Sequence, residues 1–264
     1  NEGSTVSYPQ GHTAKEFFLA KPVQETDALI NLCKMKTHAL ERVTGGVKNL
    51  YGCISGLHKA KGHTQYTNAD IFARQLIDLN QLIAPRFCVM DGIVAMDGNG
   101  PTSGDPVKMN VLLLGNDPVA IDSVYCHLVH LDPQMVPTNV HGETMGLGTW
   151  REKNIRLLSE DGEITMQEAV ERFGNPDFNV DRKKQRSNLW NRFNNGFLRY
   201  FQKKPYIVTD KCKKCGVCVE ACPVEGKALQ FKNGRKQPPV YNYHKCIRCF
   251  CCQEMCPHKA IQVK

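Results

Sequence analysis

The chain has 264 residues, of which 41% are hydrophobic and 23% charged. This composition is typical of a globular protein, and the length allows two domains. No apolar run approaches the 18 or so residues that a membrane-spanning helix needs. The first residues, NEGSTVSYPQG, have neither a basic head nor an apolar core, so they do not resemble a secretory signal. We therefore expect a cytoplasmic protein without a transmembrane segment.

The net charge of +8 is distributed unevenly. Residues 1–181 carry 15 Lys and Arg against 22 Asp and Glu, residues 182–204 carry eight against none, and residues 205–264 carry 11 against four. The basic second part is suited to an acidic partner. Nucleic acid is the alternative partner, but no nucleic-acid-binding motif accompanies the charge, so we expect none.

Strand-like and helix-like segments alternate over residues 1–181, which predicts an α/β domain. The predicted strands are residues 27–32, 87–96, 111–115 and 154–160. The middle two are near-continuous apolar runs, which favours a mostly parallel sheet with flanking helices. Helices are predicted to begin near Asn68, at Asp117 and after Thr165. Because no β-α unit precedes the first strand, we expect the front domain to be N-terminally truncated.

Three polar segments follow predicted strands: KTHALERVTGGVKN at 36–49, MDGNGP at 96–101 and GNDP at 115–118. Ligands of open α/β sheets bind beyond the carboxyl ends of the strands, so all three are candidate site positions. Lys36, His38 and Lys48 are the predicted catalytic residues, because they can hold a carboxylate or phosphate and supply a proton. The structural alternative for a lysine is a solvated charge.

Small and amide residues in these segments are the predicted cofactor-binding set, since glycines permit close backbone approach and an amide can orient a ligand. The set is Gly45, Gly46, Asn49, Asn99 and Gly100, together with Asp91, a carboxylate of the predicted strand 87–96 that can bind a cation or hold a lysine. Asp97, Asp117 and Asp122 are further carboxylates that can bind a cation or hold the lysines. Asp117 is equally explained as a helix N-cap, and the glycines near Asn99 as a turn. The order GxGxxG after a strand is absent, so nicotinamide dinucleotide binding is not supported.

Other candidate groups have weaker support. His58, His63, His127, His130 and His141 show no metal-ligand spacing. Cys33 and Cys53 flank the motifs KTH and GGVKN, but buried structural cysteines are commoner than thiol nucleophiles.

The stretches LINLCKMKTHALERVTGGVKNLYGCISG, VMDGIVAMDGNGPTSGDP and LLLGNDPVAIDSV together resemble the iron-sulfur proteins of the family called domain of unknown function 362. The resemblance covers most of residues 17–160. It implies a fold and the position of a site but no particular reaction. Members often carry a two-cluster ferredoxin unit, and the family domain usually begins further upstream, which agrees with a truncated front.

Residues 182–204 are predicted to form a basic amphipathic linker helix. Its aromatic and apolar residues recur at helical spacing: Leu189, Trp190, Phe193, Phe197, Tyr200 and Phe201. We expect this face to pack on one of the two domains. A helix on a membrane surface is the alternative.

Eight of the 13 cysteines form two runs of the pattern C-x2-C-x2-C-x3-C-P. This is the spacing of bacterial ferredoxins with two [4Fe-4S] clusters, in which the fourth cysteine of each run ligates the other cluster. The spacing assigns Cys212, Cys215, Cys218 and Cys256 to one cluster, and Cys246, Cys249, Cys252 and Cys222 to the second. Zinc prefers separated cysteine pairs and disulfides suit small secreted chains, so both are disfavoured.

The two runs align at an offset of 34 residues, which indicates an internal duplication within a small α+β ferredoxin-like domain at 205–264. Cys251 lies off the pattern and is interpreted as a spare structural thiol. Basic residues surround the runs: Lys211, Lys213, Lys214, Lys245 and Arg248. They suggest docking with an acidic electron carrier of the ferredoxin or flavodoxin type, with a solvated basic face as the alternative.

These predictions combine into an oxygen-sensitive electron-transfer protein. In this hypothesis two [4Fe-4S] clusters relay low-potential electrons to a substrate or cofactor bound in the α/β domain, as in a ferredoxin-dependent oxidoreductase. Lys36 and Lys48 hold the anionic substrate and His38 donates the proton; any further organic cofactor is not identified. The alternative is a non-catalytic electron-transfer subunit whose α/β domain docks onto a partner enzyme.

Overall fold

The computed structural model describes residues 2–55, 58, 62, 65, 66, 68–183 and 203–264. They divide into two compact units with the boundary between Val180 and Asp181. The aromatic face of the predicted linker helix lies outside the described residues. None of the helices in the described part of the chain is long and apolar enough to cross a membrane.

The first unit is a mixed α/β structure. Its strands are β1 (Gly3–Ser7), β2 (Glu16–Ala20), β3 (Ile30–His38), β4 (Arg42–Thr44), β5 (Phe87–Asp97), β6 (Asp105–Gly115), β7 (Leu157–Ser159) and β8 (Gly162–Ile164). Its helices are α1 (Lys21–Glu25), α2 (Gly46–Asn49), α3 (Ala69–Ile83), α4 (Pro118–Leu128), α5 (Pro137–Thr144) and α6 (Met166–Phe173). Strands β1–β2 and β7–β8 form separate antiparallel pairs beside the central sheet.

The central sheet has four strands in the order β4-β3-β5-β6. Strands β3 and β5 are parallel, whereas β4 and β6 each run antiparallel to their neighbour. The expectation of a mostly parallel sheet is therefore wrong. Strand β6 also begins earlier than predicted, because its first half alternates polar and apolar residues and the apolar run fills only its end.

The three main helices begin where their capping residues predict. Asn68 accepts a hydrogen bond from Ile71 N before α3, and Asp117 accepts from Val119 N and Ala120 N before α4. Thr165 and Glu168 form the predicted capping box of α6. Side-chain acceptors at these positions satisfy backbone N–H groups that have no partner inside a helix.

One face of the sheet packs in the core and the other faces solvent. Cys33 and Met35 of β3 are buried, whereas Leu32, the residue directly before Cys33, is 71% exposed. Similar exposed apolar side chains continue across the sheet, and we call this set the apolar sheet face: Ile30, Leu32, Phe87, Leu112 and Leu114. Leu32 and Leu114 are both register partners of Val89, so the face is continuous across three strands.

The second unit is a small α+β structure. It contains β9 (Pro205–Ile207), β10 (Leu229–Gln230), β11 (Val240–Tyr241) and β12 (Ile261–Val263), with helices α7 (Val217–Glu220) and α8 (Cys251–Glu254). Strand β9 pairs with β12, and β10 pairs with β11, both antiparallel. Helices α7 and α8 lie 34 residues apart in the sequence, as the duplication predicts.

Candidate functional site

Two cavities of the second unit are lined by cysteines. The first is open to solvent, has an empty volume of about 330 Å³, and its lining includes Cys212, Cys215, Cys218 and Cys256. The second, likewise open to solvent, has an empty volume of about 310 Å³, and its lining includes Cys222, Cys246, Cys249 and Cys252. Each cavity thus combines three cysteines of one run with the fourth of the other, which is the grouping that the spacing predicts.

The backbone around the cysteines repeats in the two halves. Lys214 and Gly216 have positive φ on either side of Cys215, and Arg248 and Phe250 have positive φ on either side of Cys249. Left-handed residues between right-handed ones turn successive N–H groups inward and form a concavity suited to an anionic group. Phe250 adopts this conformation without being glycine, so surrounding contacts must offset a cost of about 1–2 kcal/mol.

The sulfur atoms accept hydrogen bonds from the protein. Ala228 N donates to Cys222 Sγ and Ala260 N donates to Cys256 Sγ, both at 3.3 Å. The hydroxyl of Tyr241 lies 3.2 Å from Cys252 Sγ. Donors of this kind stabilise sulfur that carries negative charge and help to set the potential of an iron-sulfur cluster.

These cavities fit a four-iron cluster better than a single ion. Burial, together with the neighbouring Cys256 and Cys212, raises the pKa of the Cys218 thiol to about 11. Four such thiols ionise together only when iron supplies positive charge. In the described part of the chain, no group of three or more His, Cys, Asp or Glu is placed to hold one metal ion. Zinc would need its sulfur donors at about 2.3 Å.

The spare cysteine lies against a predicted ligand. Cys251 is buried, and its hydrogen bond with Cys249 raises the pKa of Cys251 and lowers that of Cys249. This contact favours the thiolate form of the residue predicted to bind iron.

In the first unit, two of the three polar segments meet. Thr37 Oγ1 donates to the carbonyl of Gly98 at 3.1 Å, and Gly100 N donates to Thr37 Oγ1 at 3.2 Å. Lys36 is the register partner of Met96 in the parallel ladder. The segments KTH and MDGNGP therefore lie together at the carboxyl ends of β3 and β5.

The last part of the first segment, GGVKN at 45–49, lies with GNDP at the other end of these strands. Asn31 Nδ2, near the start of β3, donates to the carbonyl of Gly46 at 2.7 Å. Gly46 N and Val47 N in turn donate to the carboxylate of Asp122 in α4. Asn31 and Thr37 are about six residues apart, or roughly 20 Å along a strand. The expected convergence of all three segments at one edge is wrong, because β6 runs antiparallel and carries GNDP to the opposite end.

Several predicted cofactor-binding residues have structural contacts. A Cβ atom on Gly45 would lie 2.2 Å from Asp122 Oδ1, so the space beside this glycine is filled by protein. A Cβ atom on the neighbouring Gly46 would lie 3.1 Å from Pro118 and 3.2 Å from Cys88 Sγ, which is a tight approach but not an overlap. Asn49 Nδ2 donates to Asn31 Oδ1 at 2.8 Å. Their role as cofactor ligands remains a prediction, and close packing alone explains why these residue types occur here.

Asp117 is an N-cap, as its structural alternative predicts, and it also accepts from Thr149 N at 2.9 Å. Asp97 accepts from Asn179 N at 2.8 Å. Asn99 lies in the turn after β5 and is partly exposed, and Gly100 is buried there.

Lys36 lies on a different face from Lys48. On β3 it alternates with the buried Met35 and Thr37, and so shares the outer face with Lys34. Lys34 forms an ion pair with Asp91, which holds the pKa of Asp91 below its usual range. Lys48 lies on α2, whose Gly46 carbonyl binds the inward-facing Asn31. The two lysines therefore belong to separate surroundings.

Lys48 acts electrostatically on a buried carboxyl group, that of Glu41. His38 is 4% exposed, Lys48 is 8% exposed, and Glu41 between them in sequence is completely buried. His38 Nδ1 accepts hydrogen bonds from Leu40 N at 3.2 Å and Glu41 N at 3.1 Å. The Lys48 ammonium lies 5.9 Å from the centre of the Tyr51 ring.

Sequence reasoning missed Glu41 and Thr37. A glutamate inside a polar segment is normally a solvated charge, and no spacing distinguishes a buried one. Thr37 lies between two predicted catalytic residues, and its position in β3 was the available signal: an inward-facing hydroxyl at a strand end often binds backbone of the next loop.

The remaining candidate histidines and cysteines have contacts of their own. His141 Nε2 lies 3.1 Å from Asp70 Oδ1, and His58 stacks on Phe18 at 4.0 Å. Burial lowers the pKa of His127. His63 lies outside the described residues. Cys33 is buried 3.8 Å from Cys88 Sγ, and this contact raises the pKa of the Cys33 thiol, which disfavours it as a nucleophile.

Comparison with known proteins agrees with both parts of the resemblance. Residues 1–127 match the family described as domain of unknown function (DUF362), and residues 204–257 match the 4Fe-4S dicluster domain. The first match begins earlier and ends earlier than the residues 17–160 suggested by the motifs.

One curated relative is the thylakoid-associated protein sll1697 of Synechocystis sp.. It is 33% identical to this chain over 196 residues, which are 73% of this chain and 60% of the relative. The chain therefore spans less than two thirds of the relative's length. No solved structure matches the chain.

Proposed function

We propose that this protein relays low-potential electrons from an acidic carrier through two [4Fe-4S] clusters, on the basis of the match of residues 1–127 to the domain of unknown function 362 and of residues 204–257 to the 4Fe-4S dicluster domain. The receiver is an anionic substrate or cofactor bound in the α/β unit. The dicluster domain makes this an iron-sulfur protein with a role in electron transfer. The carrier, the receiver and the direction of transfer are the proposed part.

The observation that carries the proposal is the pair of four-cysteine cavities. Two clusters held in one small domain have one common use, which is to pass electrons singly between a donor and an acceptor. When bound, each cluster accepts and returns one electron. The protein's own contribution is the set of N–H and hydroxyl donors on the sulfurs, which favour the more negative, reduced state.

The cysteine assignment is tested with Cys256→Ala, purified without oxygen. We expect this variant to lose the cluster held by Cys212, Cys215 and Cys218, and therefore about half of its iron and sulfide. Cys251→Ala is the matched control and should retain both clusters. Equal loss in both variants, or full iron in Cys256→Ala, would contradict the assignment.

Electron delivery is tested by mixing the loaded protein with a reduced ferredoxin or flavodoxin and following bleaching of the cluster absorbance. Rapid bleaching by these acidic carriers, and slow bleaching by a basic carrier of similar potential, is the expected result. Equal rates with both would argue against an acidic donor.

In the α/β unit, we propose that Lys36 and Lys48 hold anionic groups and that KTH and MDGNGP form the substrate end. Lys36 lies beside Met96, and Thr37 binds Gly98 and Gly100, which supports a shared site at the carboxyl ends of β3 and β5. Lys48 approaches from the inner side of the sheet, so we assign it to a second point of contact rather than to the same one.

The apolar sheet face favours a second candidate, an electron-transfer subunit docked onto a partner enzyme. A continuous apolar surface across three strands is unusual for a monomer and marks interaction surfaces. The charged variant Leu32→Glu/Leu114→Glu should release the protein from a native complex, while Leu158→Glu, at an equally exposed leucine of β7, should not. A single small particle for the unaltered protein in anaerobic cell extract would exclude this candidate.

The relative's name associates that protein with thylakoids. We propose a cytoplasmic location for this chain, with contact to a membrane only through a partner. Fractionation of cells after washing membranes with salt distinguishes this arrangement from direct attachment.

A further inference from the structure

The central sheet is apolar on both of its sides at one end. Its inner side packs in the core, while three members of the apolar sheet face on the outer side are more than half exposed: Ile30 (61%), Leu32 (71%) and Leu114 (60%). A strand with one solvated side normally alternates apolar and polar residues, and strands that are apolar on both sides are normally covered on both. No element in the described part of the chain covers these side chains. The outer side therefore lacks a layer.

Lysines lie on the same side of the sheet, beyond the apolar sheet face. Lys34 and Lys36 follow Leu32 at alternate positions of β3. Lys108 of β6 is exposed and precedes the buried Met109, so it also points outward. The outer side thus changes along its strands from an apolar end to a basic end.

Lys36 and Lys108 flank β5 from its two neighbouring strands. Lys36 is the register partner of Met96, and Lys108 is the register partner of Val94. Val94 is 41% exposed, so apolar surface continues between the two lysines. A partner that follows β5 would contact apolar side chains along its middle and a lysine on either side.

The charge on this side is opposite to that of the unit as a whole. Among the outward-facing residues of β3, β5 and β6, Asp91 is the acidic one, and it is paired with Lys34. Lys36 and Lys108 therefore give the outer side a net positive charge. Residues 1–181 as a whole carry 15 Lys and Arg against 22 Asp and Glu.

We propose that the outer side of the central sheet binds an amphipathic helix of a partner protein, with the helix's apolar stripe on the apolar sheet face and its acidic residues over Lys36 and Lys108. This rests on the second candidate function, in which the α/β unit docks onto a partner. Leu114 and Lys108 are six residues apart, or roughly 20 Å along β6. A helix of about 14 residues spans that distance and presents an apolar stripe to the sheet, as helices do in α/β layers.

Charge argues against two other protein occupants. A second copy of this chain would bring one positive patch onto another, because a twofold interface joins a patch to itself. Residues 182–204 of the chain carry eight basic residues and no acidic one, so Lys36 and Lys108 would repel them as well. An acidic segment of another protein is attracted by both lysines.

A membrane surface is disfavoured by the ion pair within the outer side. Asp91 is the register partner of Leu112, a member of the apolar sheet face. Insertion of that face into lipid would bring the Asp91 carboxylate to the membrane with it, and charged groups are costly there. A helix can instead leave the ion pair at the edge of the contact, in water.

The experiment uses two synthetic peptides of about 18 residues, long enough to cover the outer side as a helix. Both have leucines at positions i, i+3, i+4 and i+7, and the flanking positions are Glu in one and Lys in the other. Binding of the labelled peptides to the cluster-loaded protein is followed by fluorescence anisotropy. The Glu peptide should bind several-fold more tightly than the Lys peptide at low salt, and the preference should shrink as salt is added. Equal binding of the two peptides, or no binding of either, would overturn the proposal.

Variants locate the contact. Lys108→Glu should weaken binding of the Glu peptide and strengthen that of the Lys peptide, whereas Leu32→Gln/Leu114→Gln should weaken both. The matched controls are Lys153→Glu and Leu158→Gln, at exposed positions elsewhere in the same unit, and both should bind like the unaltered protein. Binding that survives the changes on the sheet would place the contact elsewhere and overturn the proposal.

The other occupants are measured with the same leucine variant. A dimer in analytical ultracentrifugation that Leu32→Gln/Leu114→Gln dissociates would assign the outer side to a second copy. Binding to vesicles of phosphatidylcholine and phosphatidylglycerol that this variant abolishes would assign it to lipid. Either result would overturn the proposal.

The altered side chains are exposed, so the variants should keep the cluster absorbance and the thermal unfolding of the unaltered protein. If the leucine variant unfolds, the reversal of peptide preference in Lys108→Glu decides the question without it. Failure of the helix proposal is distinguishable from failure of the functions on which it is built. Release of a native complex by Leu32→Glu/Leu114→Glu tests docking itself, and cluster reduction by an acidic carrier tests the relay.

Discussion

At the scale of single residues, three buried carboxylates of the first unit differ in how their charge is balanced. Asp78 accepts three backbone N–H groups, from His12, Thr13 and Ala14. Asp122 accepts two, and burial still raises its pKa to about 7. Glu41 accepts none among the described residues. Glu41 thus differs from Asp78 and Asp122 in having, among the described residues, no donor that stabilises its ionised form.

This difference predicts how stability depends on pH. The pKa of Glu41 is about 8 when folded, above its ordinary value of 4.5. The folded protein therefore holds a proton that the unfolded chain releases, and this contribution is full below pH 4.5 and lost as pH rises to about 8. The slope is at most about 1.4 kcal/mol per pH unit.

Glu41→Gln should remove this slope. Anaerobic urea unfolding of the cluster-loaded protein across that range should show the variant gaining stability relative to the unaltered protein as pH rises. Taking the difference between the two proteins cancels the contribution of cluster loss. A difference that stays constant with pH would show that Glu41 keeps the same charge in both states.

Gly45 is predicted to be intolerant of any side chain. The Cβ of Gly45→Ala would overlap Asp122 Oδ1 and the methyl carbon of Met90, which are 2.2 and 2.4 Å from the ideal position. Relief requires breaking the contacts between Asp122 and the start of α2, so we expect a loss of about 1–3 kcal/mol. Nothing lies within 4 Å of the same position at Gly52.

Gly52→Ala is accordingly the control, and it should be neutral or stabilising by up to about 1 kcal/mol. Thermal unfolding of both variants measures the contrast. Equal stability of the two would mean that Asp122 can withdraw from Gly45 at little cost, and that the glycine pair is available to a ligand after all.

At the scale of elements, local signals were sufficient for the three helices with side-chain caps and insufficient for the strand directions. The caps at Asn68, Asp117 and Thr165 act within one helical turn, so the sequence around them contains the relevant contacts. Strand direction depends on the connection between strands. The apolar run at the end of β6, residues 111–115, suits a strand of either direction. Only the hairpin from β5 makes β6 antiparallel.

The site follows the same division. The cysteine runs predict their own grouping, because the spacing within each loop governs which sulfurs can reach a common centre. The polar segments of the first unit do not predict theirs, because whether two segments meet depends on the end of the sheet at which each strand finishes. Glu41 lacked any local signal, since its burial comes from packing by elements distant in sequence.

The β10–β11 ribbon provides a test of how the second cluster is tuned. Tyr241 of β11 lies 3.2 Å from Cys252 Sγ. An iron-bound thiolate has no proton, so the hydroxyl must donate, and this favours the reduced cluster. Tyr241→Phe should lower the potential of that cluster by on the order of 20–60 mV, the equivalent of one ordinary hydrogen bond.

Tyr243→Phe is a close control, because the two rings stack at 5.4 Å but the Tyr243 hydroxyl donates to the Pro205 carbonyl. Its cluster potentials should stay unchanged. Redox titration followed by electron paramagnetic resonance measures both variants. A shift of equal size in the control would attribute the effect to ring packing rather than to the hydrogen bond.

At the scale of the whole molecule, the two units carry opposite charge. Residues 1–181 have an excess of acidic residues, and residues 205–264 an excess of basic ones. Lys211 and Lys213 are exposed beside the cysteines of the first run, and Lys213 lines the first cavity. Positive charge around the entry point for electrons would raise the rate at which an acidic carrier arrives.

The double variant Lys211→Glu/Lys213→Glu should therefore slow reduction by an acidic ferredoxin several-fold at low salt. The difference in rate should shrink as ionic strength rises, because the Debye length falls from about 30 Å at 0.01 M to about 8 Å at 0.15 M. Lys153→Glu, an exposed position in the first unit, changes the charge of the acidic unit instead and should leave the rate nearly unaltered. Stopped-flow mixing at several salt concentrations gives the rates. A slowing that persists at high salt would indicate damage to the cluster surroundings, and equal slowing by Lys153→Glu would place the carrier elsewhere on the molecule.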